Sequence, residues 1–176
     1  MADRVNGILK VDPTRRPSVW RRGLLHIVAT KPGTAIHRTL IARINTPLMR
    51  LTRGRVNARL GALPLVVLRA TGAKSGARQD VPLVYFTDGD DVILIASSYG
   101  RAKHPGWYYN LLAHPECELL VDGADGRGGR FVARATEGTD RDRLFALAEG
   151  YYSGYTTYAA NTDGIRTIPV LRLTPA

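Results

Sequence analysis

Cysteine is almost absent from this sequence, which excludes a fold stabilised by internal disulfide bonds. Cys117 is the single cysteine among 176 residues, and a disulfide needs two. It stands in the apolar run 117–121 without a second thiol or a neighbouring histidine, which predicts a buried strand residue rather than a nucleophile. The four histidines are isolated from one another, and no Cys, Asp or Glu cluster has metal-ligand spacing. The sequence therefore predicts no metal centre.

Long hydrophobic runs are also missing. No stretch reaches the roughly 18 apolar residues that a membrane-spanning helix needs, and the N-terminal residues lack the apolar core of a signal peptide. With 44% hydrophobic and 23% charged residues, the composition is typical of one globular domain. A cytoplasmic location is the expectation.

Acidic residues are scarce in the N-terminal half. No Asp or Glu occurs between Asp12 and Asp80, so residues 1–69 carry a net charge of +12, against +10 for the whole chain. Such asymmetry indicates an anionic partner, which is nucleic acid, a membrane surface or an acidic ligand. Apolar residues at helical spacing predict an amphipathic helix over 34–51. Its apolar stripe either lies on anionic lipid or packs against protein.

Several motifs of well-known enzyme classes do not occur. There is no Gly-x-Ser-x-Gly hydrolase elbow and no Gly-x-Gly-x-x-Gly dinucleotide turn. The glycine-rich stretch 71–78 is not a Walker loop either, because Ala73 replaces the glycine that must precede the Lys74-Ser75 pair.

What the chain does contain is three polar segments that follow or join predicted strands. The first is the loop 71–78 between the apolar runs 64–68 and 81–86, and its glycines, hydroxyl and cations suit a phosphate or carboxylate. A solvated hairpin tip is the alternative interpretation. The second, 97–107, leads into a helix starting near Pro105 whose N–H groups suit an anion, and Trp107 offers a flat face to a planar ring.

The third segment is rich in tyrosine. Tyr152, Tyr155 and Tyr158 recur at three-residue steps, so in a helix they would share one face. Ordinary core packing is the alternative for these tyrosines and for Trp107.

The remaining pattern predicts an α+β fold around a small closed barrel. Further strands are predicted at 92–96, 117–121, 130–137 and 168–173, which brings the total to about six, mostly connected by hairpins. A helix is predicted to begin after Thr139, with Asp142 as its capping-box partner.

Six short motifs, in this order and spacing, resemble the deazaflavin-dependent nitroreductase family. They are Thr71-Gly72-x-Lys74-Ser75-Gly76, Val81-Pro82-Leu83, Asp88-Gly89, Ser97 with Gly100, Lys103-His104-Pro105-x-Trp107-Tyr108-x-Asn110-Leu111, and Arg166-x-Ile168-Pro169-Val170. The resemblance covers about residues 35–173 and implies a split β-barrel of flavin-mononucleotide-binding type. The expected organisation is a basic N-terminal extension, 1–34, followed by the barrel domain, 35–176.

The resemblance also implies a cofactor and a reaction. The cofactor would be reduced 8-hydroxy-5-deazaflavin, coenzyme F-420, which has a polyanionic tail, and its hydride would pass to a quinone, a nitroaromatic or an activated enone or lactone. The residues implied in cofactor binding are Gly72, Lys74, Ser75, Gly76, Arg78, Val81, Pro82, Leu83, Ala96, Ser97, Ser98, Arg101, Lys103, His104, Pro105, Trp107 and Tyr108. Tyr152, Tyr155 and Tyr158 are implied to close over the acceptor.

Within this assignment Tyr155 and Ser97 are the expected catalytic hydroxyl donors. The acceptor gains negative charge, and no carboxylic acid stands near Ser97 or Trp107 in the sequence. Tyr155 is expected to be the better acid, since an unperturbed tyrosine has a pKa of about 10.

Two departures from the family and three alternatives stay open. Many relatives carry Arg where Gln79 stands, and relatives usually have Lys-Gly or Gly-Gly where Ser98-Tyr99 stands. The alternatives are a flavin-mononucleotide enzyme on the same fold, a basic membrane-binding module and a nucleic-acid-binding module, of which the last is not expected. Both a monomer and a homodimer are compatible with the sequence.

Overall fold

A computed structural model of the chain describes residues 3–14, 63–121 and 127–176. The predicted helix at 34–51 and the predicted boundary at residue 34 lie outside these residues and stay predictions. Among the described residues, no helix is both long enough and apolar enough to cross a membrane.

Six antiparallel strands close into a barrel, as predicted. In the order in which they pair around the barrel, they are β3 (Leu65–Thr71), β4 (Arg78–Asp88), β5 (Asp91–Ile95), β8 (Val170–Pro175), β7 (Gly128–Ala135) and β6 (Glu116–Leu120), with β6 returning to β3. The β4–β5 connection is a tight turn in which Gly89 adopts a φ of +64°, a conformation open to glycine at little cost.

Strand β5 shows why the apolar runs of this sequence are continuous rather than alternating. Val92 and Leu94 belong to one buried cluster together with alternate residues of the other strands, which is the barrel interior. Ile93 and Ile95 point the other way and belong to a second cluster with helical residues. Because successive strand residues face opposite sides, a strand covered on both faces needs an apolar residue at every position.

Three helices flank the barrel: α1 (Gly106–Ala113), α2 (Gly138–Tyr151) and α3 (Gly154–Thr162). The predicted cap of α2 is wrong. The helix begins one residue before Thr139, with Glu137 at the N-cap position and no side-chain cap hydrogen bond. Asp142 instead accepts a hydrogen bond from Arg141 at 2.9 Å. Gly138, the first residue of the helix, has a φ of +54°, a left-handed conformation that glycine adopts at little cost.

An N-terminal hairpin packs into the barrel and was not predicted. Strands β1 (Arg4–Val5) and β2 (Ile8–Leu9) pair antiparallel around Asn6-Gly7, and both turn residues have positive φ. Ile8 is completely buried in the barrel-interior cluster. The signal was present in the sequence, since Asn-Gly between apolar residues is the strongest short hairpin signal.

Candidate active site

The 72–77 loop closes upon itself at the end of the β3–β4 hairpin. Gly72 N–H donates to the carbonyl of Ala77 at 2.9 Å, and Gly76 N–H donates to that of Gly72 at 2.8 Å. Gly72 keeps the loop compact, because an added Cβ would lie 2.5 Å from Oγ of Ser75 and 3.2 Å from the carbonyl oxygen of Ala77, so the Ser75 side chain would have to move. Lys74 and Ser75 remain exposed. Because several backbone N–H groups of the loop already donate hydrogen bonds within the protein, an anion would be bound mainly by the side chains of the loop.

A buried amide holds this loop from behind. Asn110, only 7% exposed on α1, accepts a hydrogen bond from Ala73 N–H at 3.0 Å and donates to Oε1 of Gln79 at 3.1 Å. Gln79 thus holds the buried amide that supports the loop. Sequence reasoning gave Asn110 no role, although a polar residue between Trp107 and Leu111 on a buried helix face was a usable signal.

The 97–104 loop has an unusual backbone. Ser98, Tyr99 and Gly100 follow one another with φ values of 52°, 55° and 70°. For residues other than glycine this left-handed conformation is costly. Gly100 packs so closely on α3 that an added Cβ would lie 3.1 Å from Cα of Tyr158, which places this loop directly against the helix of the tyrosine segment.

Arg166, in the segment that joins α3 to β8, binds the 97–104 loop. Its guanidinium donates to the carbonyls of Ser97 at 2.7 Å and Arg101 at 2.9 Å, and its Nη1 lies 3.0 Å from Nδ1 of His104. Partial burial, followed by the charge of Arg166, lowers the pKa of His104. Sequence reasoning quoted Arg166 only as part of a motif and assigned it no role.

The tyrosine cluster, which we define as Tyr152, Tyr155 and Tyr158, is buried. Its rings meet edge to face, with centroids 5.4–6.4 Å apart, and the ring of Tyr99 lies 6.1 Å from that of Tyr158. The prediction that these three tyrosines share one face of a single helix is wrong. Tyr152 is the C-cap residue that follows α2, and only the other two lie on α3.

Tyr155 differs from the expected acid. Its side chain is only 6% exposed, and burial raises its pKa well above the ordinary value. Its hydroxyl has no hydrogen-bond partner among the residues that the structure describes, whereas Oη of Tyr152 lies 3.5 Å from Oη of Tyr158. Tyr155 is therefore a weak acid with a free O–H donor.

The other predicted site residues divide between surface and core. Lys74, Arg101 and Lys103 are exposed and form no ion pair within the described parts of the chain. Arg78 is also exposed but lies 3.8 Å from a carboxylate oxygen of Glu118. Among the other predicted cofactor-binding residues, Pro82 is exposed. Seven more are partly exposed, namely Val81, Leu83, Ser97, Ser98, His104, Pro105 and Tyr108.

Trp107 and Ala96 lie in the core. Trp107 is 7% exposed and belongs to the barrel-interior cluster, against which Val81 and Leu83 also pack. Ala96 is fully buried. Packing thus accounts for the indole of Trp107, and its role as a platform for a planar ring stays a prediction.

An open cavity of about 450 Å³ lies between α2, α3 and the segment 163–168. Its walls include Arg141, Phe145 and Arg166 but none of the predicted site residues. Arg141 donates twice to the carbonyl of Ile168, at 2.8 and 3.1 Å.

Comparison with known proteins gives a consistent result. The model of a family described as F420H(2)-dependent quinone reductase matches residues 41–175. An F420H(2)-dependent quinone reductase of Mycobacterium tuberculosis is 36% identical over 138 residues, covering 76% of this chain and 89% of the relative. A second, putative one from the same species is 34% identical over 122 residues, covering 66% and 98%.

Two solved structures are also similar. One, described as an F420-H2 dependent reductase, has 35% identity and a TM-score of 0.53, covering 62% of this chain and 93% of that protein. The other, described as a domain-swapped dimer, has 32% identity and a TM-score of 0.54, covering 77% and 98%.

Proposed function

This chain belongs to the F420H(2)-dependent quinone reductase family, and from that membership we propose which of its residues bind the coenzyme and the acceptor. The chain is a deazaflavin-dependent oxidoreductase that transfers a hydride from reduced coenzyme F-420 to a quinone-type acceptor. The family membership makes both alternatives unnecessary, namely a flavin-mononucleotide enzyme and a binding module without catalysis.

The chemistry of the exposed donors fits an anionic coenzyme tail. Lys74, Arg101 and Lys103 are cations without a carboxylate partner among the described residues, and the hydroxyl of Ser75 lies beside the first of them in the chain. Cations of this kind bind carboxylates and phosphates through charge-assisted hydrogen bonds. We assign the tail to these four side chains and the acceptor to the tyrosine cluster.

The free hydroxyl of Tyr155 is the observation that carries this proposal. When bound, the reduced coenzyme supplies a hydride from its C5 position. The acceptor oxygen then gains negative charge, which a preorganised donor in a dry site stabilises. Tyr155 donates that hydrogen bond and keeps its proton, since burial raises its pKa. The proton that completes the reduction comes from solvent.

Two further features assist Tyr155 in this proposal. The hydroxyl of Ser97 has no partner in the described part of the chain and is a second donor. The packed rings of Tyr152 and Tyr158 exclude water from the acceptor, and a hydrogen bond is stronger where water is excluded.

A cofactor titration tests the proposal. Purified protein is titrated with oxidised coenzyme F-420 and, in parallel, with flavin mononucleotide, and binding is followed by ring absorbance and fluorescence. We expect saturable binding of the deazaflavin, followed by quinone-dependent reoxidation of its reduced form. Tighter binding of flavin mononucleotide, or deazaflavin binding without quinone reduction, would overturn the assignment.

The basic N-terminal half supports a second proposal, which is reversible association with anionic membranes from the cytoplasmic side. Residues 1–69 carry a net charge of +12, and each basic side chain near an anionic surface contributes up to about 1 kcal/mol. A quinone dissolved in the lipid would then be close to the site.

Vesicle co-sedimentation tests this association. Binding to vesicles with phosphatidylserine is expected to fall as salt is added and to be lost on changing Arg15, Arg16, Arg21 and Arg22 together to Gln. Substitution is preferable to deletion because Val5 and Ile8, which a deletion would remove, are buried in the barrel-interior cluster. No binding to these vesicles at low salt would exclude the proposal.

Homodimer formation is the third proposal. It is supported by the similar solved structure that is described as a domain-swapped dimer. Light scattering coupled to size exclusion measures the mass in solution. A mass equal to the 19.3 kDa of one chain at all concentrations would exclude a stable dimer.

A further inference from the structure

Arg166 contacts both ends of the 97–104 loop from outside it. Its guanidinium reaches the carbonyls of Ser97 and Arg101, which are separated by the three residues of positive φ. A third carbonyl, that of Ala96, lies 3.5 Å from Nη1. No single-point donor could make this set of contacts, whereas the planar fork of arginine carries five N–H donors.

These contacts compensate for a costly backbone. Non-glycine residues in the left-handed region persist when surrounding structure over-determines them, and Ser98 and Tyr99 are two such residues in sequence. Without Arg166, the carbonyls on either side of them would lose their shared donor. The loop would then be free to relax toward ordinary backbone angles.

The contact with His104 has a further chemical consequence. Arginine stays protonated in proteins and only donates, so Nδ1 of His104 must accept the hydrogen bond at 3.0 Å. A ring whose Nδ1 accepts carries its proton on Nε2. The contact of Arg166 therefore favours the neutral Nε2–H tautomer, and this N–H has no acceptor among the described residues.

Arg166 also connects the loop to the tyrosine helix. The backbone N–H groups of Ile165 and Arg166 both donate to the carbonyl of Thr162, the last residue of α3. One side chain therefore ties the end of the helix that carries Tyr155 and Tyr158 to the loop that carries Ser97 and His104.

We propose that Arg166 is a positioning residue that shapes the 97–104 loop for the coenzyme and presents His104 as a neutral Nε2–H donor to it. The inference rests on the proposed function for the identity of the ligand. The proposal has two parts, and the part that concerns the tautomer of His104 does not depend on any ligand.

The first test is made on the protein without cofactor. Long-range ¹⁵N–¹H correlation spectra at alkaline pH distinguish the two histidine tautomers, and a spectrum of His104→Gln assigns the signal. Wild type is expected to show the Nε2–H form, and Arg166→Gln a mixture of both tautomers. Tyr108 and Tyr109, the other titratable groups facing this ring, are unchanged in both proteins. An identical tautomer in Arg166→Gln would overturn this half of the proposal.

The second test is the affinity for coenzyme F-420. Arg166→Gln is expected to weaken binding about tenfold or more, a change of about 1.4 kcal/mol, because the 97–104 loop loses the donors that shape it for the coenzyme. Arg166→Lys keeps the charge without the fork and is expected to fall between wild type and Arg166→Gln. If the Gln variant does not fold, the Lys variant alone decides, and affinity equal to wild type would overturn the proposal.

Arg141→Gln is the matched control. Arg141 also donates to a carbonyl of the segment before β8, but its contacts do not include the 97–104 loop. It is expected to lose thermal stability while keeping the affinity and the His104 tautomer. Equal loss of affinity in both Gln variants would make Arg166 merely structural. If wild type does not bind coenzyme F-420 at all, the proposed function fails, and the tautomer result still decides the role of Arg166.

Discussion

Lys74 is an exposed side chain in a loop whose fold does not depend on it. The loop closes through the backbone and through Gly72, Ser75 and Asn110. We therefore expect Lys74→Ala to change the free energy of unfolding by less than about 0.5 kcal/mol. A contact from its ammonium to the coenzyme tail contributes roughly 1.5–3 kcal/mol, so the dissociation constant should rise about 10- to 150-fold.

Fluorescence titration beside thermal unfolding separates these two effects. Arg134→Ala is the control, since it removes an exposed cation of strand β7 that lies outside the site. It should leave coenzyme affinity unchanged. Unchanged affinity together with lost thermal stability in Lys74→Ala would mean that Lys74 has a structural role.

Tyr155 supports a second prediction at this scale. Tyr155→Phe keeps the ring packing and removes the only feature assigned to the reaction, its free hydroxyl. We expect single-turnover quinone reduction to slow by about tenfold or more, within the range of a lost oxyanion donor, with coenzyme affinity nearly intact.

Tyr152→Phe is the matched comparison for this prediction. The hydroxyl of Tyr152 already faces that of Tyr158 at 3.5 Å, so its removal should slow the reaction less. An unchanged rate in Tyr155→Phe would assign Tyr155 to packing alone. The negative charge on the acceptor would then be stabilised without the hydroxyl of Tyr155.

At the scale of elements, the N-terminal hairpin is part of the barrel core. Ile8 is fully buried, whereas Leu9 beside it is 38% exposed. Truncating a buried isoleucine to alanine costs about 2–5 kcal/mol. We expect Ile8→Ala to lower the free energy of unfolding within that range and Leu9→Ala to lower it much less.

Denaturant unfolding measures both hairpin variants. Equal and small effects would mean that the hairpin is not integral to the fold. The hairpin also contacts β4, because Oη of Tyr85 donates to the carbonyl of Leu9 at 2.9 Å. Loss of the hairpin would therefore also remove a hydrogen bond from β4, the strand that follows the 72–77 loop.

At the scale of the whole molecule, a charge network joins strands β4, β5 and β8 to helix α2. Arg172 binds Asp88, Asp91 and Asp140, and Arg143 binds Asp88 and Asp140. Hydrogen bonds from Arg143, followed by those from Arg172, lower the pKa of Asp88 and Asp140. A carboxylate with a lowered pKa in the folded state binds fewer protons there than in the unfolded state.

Stability should therefore decrease in acid. The contribution of the network is complete above the unfolded pKa of about 4 and is lost as the pH falls through the lower folded values. Unfolding free energies measured across this acidic range should fall less steeply in Arg143→Ala than in wild type. Parallel curves for the two proteins would show that the network does not contribute.

Much of the fold could be predicted from the sequence because its signals are local. Short apolar runs separated by glycine, aspartate and serine predicted the six strands and their hairpins, and the motif order predicted the family. The Asn6-Gly7 turn was also local and was overlooked. The cap at Thr139 was wrong, since α2 begins at Gly138 and has no side-chain cap hydrogen bond.

The residues that organise the site depended on tertiary structure. Asn110 meets Ala73 across 37 residues of sequence, and Arg166 meets His104 across 62, so no local pattern could pair them. Burial is equally non-local. What surrounds Tyr155 decides that its pKa rises, and the proposal that it donates a hydrogen bond rather than a proton rests on that rise. Residue types and turns are properties of short segments and could be read in order, whereas desolvation and long-range hydrogen bonds arise only when distant segments meet.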